Sequence, residues 1–195
     1  MTIEKQDVYA EAARVLLGGG VVIIPTDTVY GIAAHPGCAD AVERIRVIKG
    51  RPTGKPIALL AADMEAVRAF GAALPPAARR LAEAFWPGAL TLVLPCGDTD
   101  EGFRVPDHDA VRGLLAACGG TLRVTSANLS GAMPAVSAVA ALKDVGLDAD
   151  VVIDGGVCPG GVASSVVRVD TDGAVMVLRE GAIPAAEILR GATGS

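Results

Sequence analysis

Residues 165–178, SVVRVDTDGAVMVL, decide the fold. Two runs rich in valine flank Asp172-Gly173, a dipeptide that suits the positive-φ positions of a hairpin turn. A hairpin pairs its strands antiparallel, so any sheet containing it cannot be wholly parallel. Upstream, strands and helices interleave. VVII (21–24) reads as a fully buried strand from its β-branched content. PIALLAA (56–62), ALTLVLP (89–95), the shorter FRVP (103–106), TLRVT (121–125) and a buried VVID (151–154) read as further strands.

Between them lie helical patterns. Residues 7–17 place Val8, Ala12, Val15 and Leu16 on one face, and Gly18–Gly20 stop the helix. Residues 40–49 place Ala41, Ile45 and Ile48 on one stripe, with Gly50 just past the end. Asp63 is the expected N-cap of a helix through Phe70, and PPAARRLAEAFW (75–86) begins with prolines suited to a first turn. Residues 109–117, 135–145 and 185–190 complete the set. The expectation is an α/β fold: a single-domain, twisted, open, mixed sheet, parallel and antiparallel, with flanking helices. No composition break, linker or repeat divides the chain, so one domain spans 1–195 with its core at about 8–190.

The 195 residues suffice for a substantial core, and 51% hydrophobic with 20% charged residues is a globular composition. Aromatics contribute 3%, so the core must be mostly Ala, Val, Leu and Ile. MTIEKQDVY at the start has no apolar signal core, and no apolar run reaches membrane-spanning length. A soluble, cytoplasmic protein without membrane association is expected. Cys38, Cys96, Cys118 and Cys158 lie 22 to 58 residues apart with no C-x-x-C pair, which argues for free thiols and against a zinc site. The net charge of −5 argues against a general nucleic-acid binder. Yet Arg44, Arg46, Lys49, Arg51 and Lys55 place five cations within twelve residues. That concentration suggests a focused anion site, or else a solvated basic helix face.

Several nucleotide signatures are excluded. GRPTGKP (50–56) has three residues between its glycines where a P-loop has four, and proline where Ser/Thr would hold magnesium. No G-x-G-x-x-G follows the first strand, and neither H-E-x-x-H nor G-x-S-x-G occurs.

Five polar clusters remain, each where a regular element ends. PTDTVYG (25–31) brings Thr26, Asp27, Thr28 and Tyr30 together, as a ligand wall or as a turn that satisfies its own backbone. Lys49 and Arg51, with Lys55 behind, pair a point charge with a planar fork, fit for phosphate or for a helix C-terminus. TSANLSG (125–131) offers Ser126 and Asn128 as ligand groups or helix caps. GGVCPGGVASS (155–165) offers glycine N–H groups with Ser164 and Ser165. Arg179 in LREG ends the last strand, as a ligand group or as half of a cross-strand ion pair. Cations, hydroxyls and amides without a nucleophile–histidine pair suit a polyphosphate site that positions two reactants.

PTDTVYG, KGRPTGKP, SANLSG and LREGAI, in that order, resemble the YrdC/TsaC family over about residues 10–185. The resemblance implies a YrdC-like twisted open sheet with a deep, positively charged cavity. It implies a nucleotidyltransferase that makes threonylcarbamoyl-AMP and pyrophosphate from L-threonine, bicarbonate or CO2, and ATP with Mg2+ carried on its phosphates. The product would feed t6A modification of tRNA, with downstream t6A transferase machinery and tRNA contact as partners. By the same resemblance Lys49, Arg51, Ser126 and Asn128 form a catalytic tetrad. Arg51, Lys55, Asn128 and Arg179 would bind ATP, and Thr26, Thr28, Tyr30, Arg104, Ser126 and Ser165 would bind threonine. No metal ligand is expected from the protein.

The chain departs from the pattern at Leu60, where some relatives carry histidine, and at Val136, where many have threonine. ASS (163–165) replaces the commoner PST, and Arg168 stands where aspartate is frequent. Its length resembles the short form without a second domain. A carbamoyl-transfer domain of hydrogenase maturation shares the fold but is expected in a far longer chain. An RNA-binding module is disfavoured by net charge and scarce aromatics.

Overall fold

The computed structural model describes residues 5–193. Residues 1–4, the start of MTIEKQDVY, and residues 194–195, all within the expected 1–195 domain, lie outside them. The elements in order are α1 (Lys5–Leu17), β1 (Val21–Ile24), β2 (Gly31–Ala34), α2 (Ala39–Lys49), β3 (Leu59–Ala61), α3 (Met64–Ala69), α4 (Pro76–Phe85), β4 (Leu90–Cys96) and β5 (Thr99–Arg104). Then follow α5 (Asp109–Ala117), β6 (Thr121–Ser126), α6 (Ala138–Val145), β7 (Val151–Val152), β8 (Ser165–Val169), β9 (Val175–Arg179) and α7 (Ala185–Thr193).

Among the described residues nine strands form one open sheet in the order β7-β1-β2-β6-β3-β5-β4-β8-β9. The pairs β1–β7, β3–β5 and β4–β8 are parallel, and the other five neighbouring pairs are antiparallel. The mixed sheet expected from the hairpin is therefore present. At its turn Asp170 N donates to Ala174 O and Gly173 N to Asp170 O, with Gly173 at φ 87° where a side chain would be strained.

Several boundaries differ from expectation. β2, GIAA, was not expected: glycine and alanine have weak strand propensity, and burial between neighbours forms the strand instead. β5 begins at Thr99, four residues before FRVP, because pairing with β4 extends through the polar segment Thr99–Gly102. Residues 135–137 are not helical; Ser137 caps α6 by accepting from Ala140 N at 3.2 Å. β3 is three residues rather than seven. VVID shrinks to two half-buried edge residues, since β7 pairs on one side only. Asp63 caps α3 as expected, accepting from Ala66 N at 2.8 Å.

The two faces of the sheet are covered unequally. One face is packed along its length: α2 and α6 residues join Ile23 and Ile32, while α3, α4 and α7 residues join Leu59, Phe103, Leu92 and Val167. On the other face α1 and α5 cover Val22, Ala33, Val124, Leu122 and Leu60. No helix covers that face over β5, β4, β8 and β9 among the described residues, and the gap becomes a cavity. No described helix is long and apolar enough to cross a membrane.

Candidate active site

The cavity has a volume of about 500 Å³, within the range of small-molecule sites. Its floor is the uncovered face: Leu60, Arg104 and Gly102, Thr91 and Val93, Ser164 and Val166. Thr26 to Gly31 and Val124 to Ser126 form one wall, and Arg51, Lys55 and Pro56 another. Arg179 enters from the end of β9. Loops at the ends of β1, β6 and β9 and the segment before β3 thus converge on one space, although they lie up to 153 residues apart (179 − 26).

Arg104 anchors the deep end. Its Nε donates to Gly88 O at 2.9 Å, Nη1 to Thr28 Oγ1 at 2.8 Å, and Nη2 to Asp27 Oδ1. The Arg104 and Asp27 side chains are 8% and 13% exposed, so this pair is shielded from water. Burial lowers the Arg104 pKa from its ordinary value, and Asp27 opposes that shift. Three contacts engage three of five N–H donors, which leaves two for a ligand.

The PTDTVYG loop satisfies its own backbone and also lines the cavity. Thr26 Oγ1 donates to Val29 O at 2.7 Å and accepts from Thr28 N and Val29 N, a turn satisfying itself. Thr28 Oγ1 faces Arg104 and the cavity, 3.0 Å from Thr26 Oγ1. Tyr30 lines the cavity, but its hydroxyl donates to Gly156 O at 2.7 Å and accepts from Gly155 N at 3.1 Å. The glycine stretch therefore packs against this loop: Gly160 N donates to Asp27 O and Gly161 N to Thr28 O. A Cβ on Gly160 would lie 2.6 Å from Asp27 O, too close for any side chain. Gly160→Ala is expected to cost about 1–3 kcal/mol, as overpacking does. It should also speed amide exchange at Thr28, and chemical denaturation with exchange measurements checks both.

The basic segment divides. Arg44 pairs with Asp150 at 2.7 Å beside the sheet edge, and Arg46 Nη1 reaches Lys55 O at 2.7 Å. Lys49 is 2% exposed and does not line the cavity; its Nζ donates to Ser126 O and Asn128 O. Burial first, then Arg51, pushes its pKa down to about 8, against the pull of Asp144. Arg51 and Lys55 do reach the cavity. Arg51 Nη2 donates to Pro56 O at 2.8 Å while its buried Nε has no partner among the described residues.

Ser126 lines the cavity, whereas Asn128 is buried behind it. Asn128 Nδ2 donates to Leu129 O and Ala132 O, which holds the following loop, and Oδ1 is without a partner among the described residues. Ser165 is fully buried outside the lining: its hydroxyl donates to Ile183 O at 2.6 Å and accepts from Gly181 N and Ile183 N. Ser164 takes the lining position, 2.8 Å from Thr91 Oγ1. Among the described residues Arg179 pairs with no acid across the sheet; its Nη2 donates to Ser164 O at 2.6 Å. Arg168, one of the departures, pairs with Asp100 and Asp170.

Sequence reasoning gave no role to Asp27 beyond its loop, and none to Thr91 or Asp100. Asp27 stands beside Thr28 in the quoted motif and was open to inference; nothing local marks the other two.

Three comparisons bear on these features. A family model for Sua5, YciO and YrdC proteins, described as "Telomere recombination", matches residues 14–181. The threonylcarbamoyl-AMP synthase of Bacillus subtilis (strain 168) is 35% identical over 92% of this chain and 55% of its own length. That of Halorhodospira halophila is 36% identical over 74% of this chain and 81% of its own. The crystal structure of P. abyssi Sua5 complexed with L-threonine superposes with a TM-score of 0.89 at 32% identity, covering 98% of this chain and 58% of that one. The chain thus spans little more than half of the Bacillus and P. abyssi proteins. A family model that matches residues 14–181, with 35% identity to a relative over 92% of the chain and the same fold, places the chain in the Sua5/YciO/YrdC family.

Proposed function

We propose that the chain is a threonylcarbamoyl-AMP synthase, joining L-threonine, CO2 or bicarbonate, and ATP with release of pyrophosphate. The observation that carries this reading is the division of one cavity into two chemistries. At the deep end Arg104, fixed by Gly88, Thr28 and Asp27, keeps two donors for a carboxylate. Toward the other walls Arg51, Lys55 and Arg179 supply positive charge suited to a triphosphate.

The amino-acid carboxylate would sit on Arg104 with its amine toward the centre, and the triphosphate along Arg51, Lys55 and Arg179. The neutral amine attacks CO2 and forms a C–N bond as one C=O π pair moves onto oxygen, and the nitrogen proton passes to water to leave the carbamate. A carbamate oxygen then attacks the α-phosphorus, and the bond to the departing pyrophosphate breaks. No protein nucleophile takes part; positioning and charge neutralisation carry the reaction. The lining suits a magnesium ion carried by the nucleotide, since Mg2+ binds largely through phosphates and water and the wall offers one carboxylate, Asp100. When bound, that ion would offset phosphate charge. Release of the product for t6A modification of tRNA, through tRNA contact and a downstream transferase in the cytoplasm, belongs to the same proposal.

Purified protein with ATP, L-threonine and bicarbonate should release pyrophosphate, and omission of threonine or bicarbonate should return the rate to background. Release that is indifferent to threonine would sink the reading.

A further inference from the structure

We infer that Arg46, outside the larger cavity, is the positioning residue that sets the nucleotide-side wall by holding the segment between α2 and β3. The inference rests on the proposed reading that this wall faces ATP. Arg51 and Lys55 both belong to the segment, yet residues 52–56 are all exposed and have little packing to fix their course. What holds them is a short set of polar contacts. Arg46 Nη1 donates to Lys55 O at 2.7 Å and approaches Pro52 O at 3.5 Å. The Arg46 carbonyl accepts from Arg51 N at 2.8 Å. Lys55 N donates to Pro52 O at 3.1 Å, and Arg51 Nη2 to Pro56 O at 2.8 Å.

Arg46 is thus bonded through its main chain to one cavity cation and through its side chain to the other. Its own side chain is 17% exposed and lines a second cavity of about 350 Å³, which shares Pro56 and Asp100 with the first. Glu43 lies 3.5 Å from Arg46 Nε, but it is 57% exposed and a weak partner. The strong contact is the charge-assisted bond to the Lys55 carbonyl.

The contact matters because of Arg51. Its fork is engaged with Pro56 O, and its buried Nε lacks a partner among the described residues. Arg51 spends one of its five N–H donors on Pro56 O and keeps the others for a phosphate, provided the Arg46–Lys55 bond keeps the segment that carries it in place. Arg46 therefore acts from outside the larger cavity, without touching nucleotide.

Arg46→Met should raise the KM for ATP about tenfold, the loss of one charge-assisted hydrogen bond, while the threonine KM and kcat stay within about twofold. Amide exchange at residues 51–55 should quicken with the rest of the protein unchanged. Arg46→Lys should recover part of the effect, and Glu43→Gln should match wild type within about twofold. An unchanged KM for ATP, or equal rises in both KM values, overturns the inference. ATP binding measured by calorimetry without threonine separates the two readings. If the wild-type chain binds ATP but releases no pyrophosphate, the synthase reading falls, and Arg46→Met still decides the positioning role by its Kd.

Discussion

Arg104→Ala should abolish threonine-dependent pyrophosphate release and lower stability by about 3–5 kcal/mol, the cost of stranding a buried charge. Asp27 would lose its ion-pair partner in a place where its side chain is 13% exposed. Gly88 O and Thr28 Oγ1 would lose their donors in the same stroke. The deep end of the cavity would then have neither a cation nor a fixed Thr28 hydroxyl. Arg104→Lys should recover some stability but little turnover, because one ammonium cannot span three partners and a substrate carboxylate. The double variant Asp27→Ala/Arg104→Ala should be more stable than Arg104→Ala and equally inactive. Urea denaturation and the pyrophosphate assay read the two effects separately. Near-normal turnover in Arg104→Ala would remove this residue from the proposed amino-acid subsite.

Why the sequence yields the frame but not all of the site follows from where each signal lives. The 165–178 hairpin, the Asp63 cap and the proline-led α4 are local, encoded within a few residues, and all appear. GIAA has no local signal: it becomes β2 only because β1 and β6 flank it. The site divides along the same line. Arg51, Lys55, Arg179, Ser126, Thr26, Thr28 and Tyr30 converge on one cavity, in keeping with their residue types, and Arg104, which only the family resemblance marks, joins them. Composition could not say which polar atoms turn to the backbone. Tyr30 finds Gly156 O across 126 positions, Lys49 finds Asn128 O across 79, and Ser165 finds Ile183 O across 18. Hydrogen-bond partners at such separations are set by packing, so a hydroxyl that lines a ligand and one that staples a loop look alike in the chain.

Lys49→Met carries the other large expected effect, and its pH dependence distinguishes support from direct contact. Nζ holds the carbonyls of Ser126 and Asn128, where β6 ends at the cavity wall. Without it two buried acceptors lose their donor, at about 1–3 kcal/mol each, and Ser126 is released from its place. A shift of about 1 Å at such a position costs on the order of 100-fold in rate, and that is the expected loss of turnover. Stability should respond to pH with a definite sign. The Lys49 ammonium titrates at about 8 in the folded chain against 10.5 ordinarily, because burial and Arg51 outweigh Asp144. Between those values the unfolded chain binds the extra proton, so wild-type stability rises relative to Lys49→Met as pH climbs from about 8 to 10.5. The full gain is about 3 kcal/mol, and the difference is flat below and above that window. Urea denaturation of both proteins from pH 7 to 11 gives the difference curve directly. A curve flat throughout would mean an ammonium titrating as in water, one facing the open cavity and its phosphates rather than buried behind Ser126.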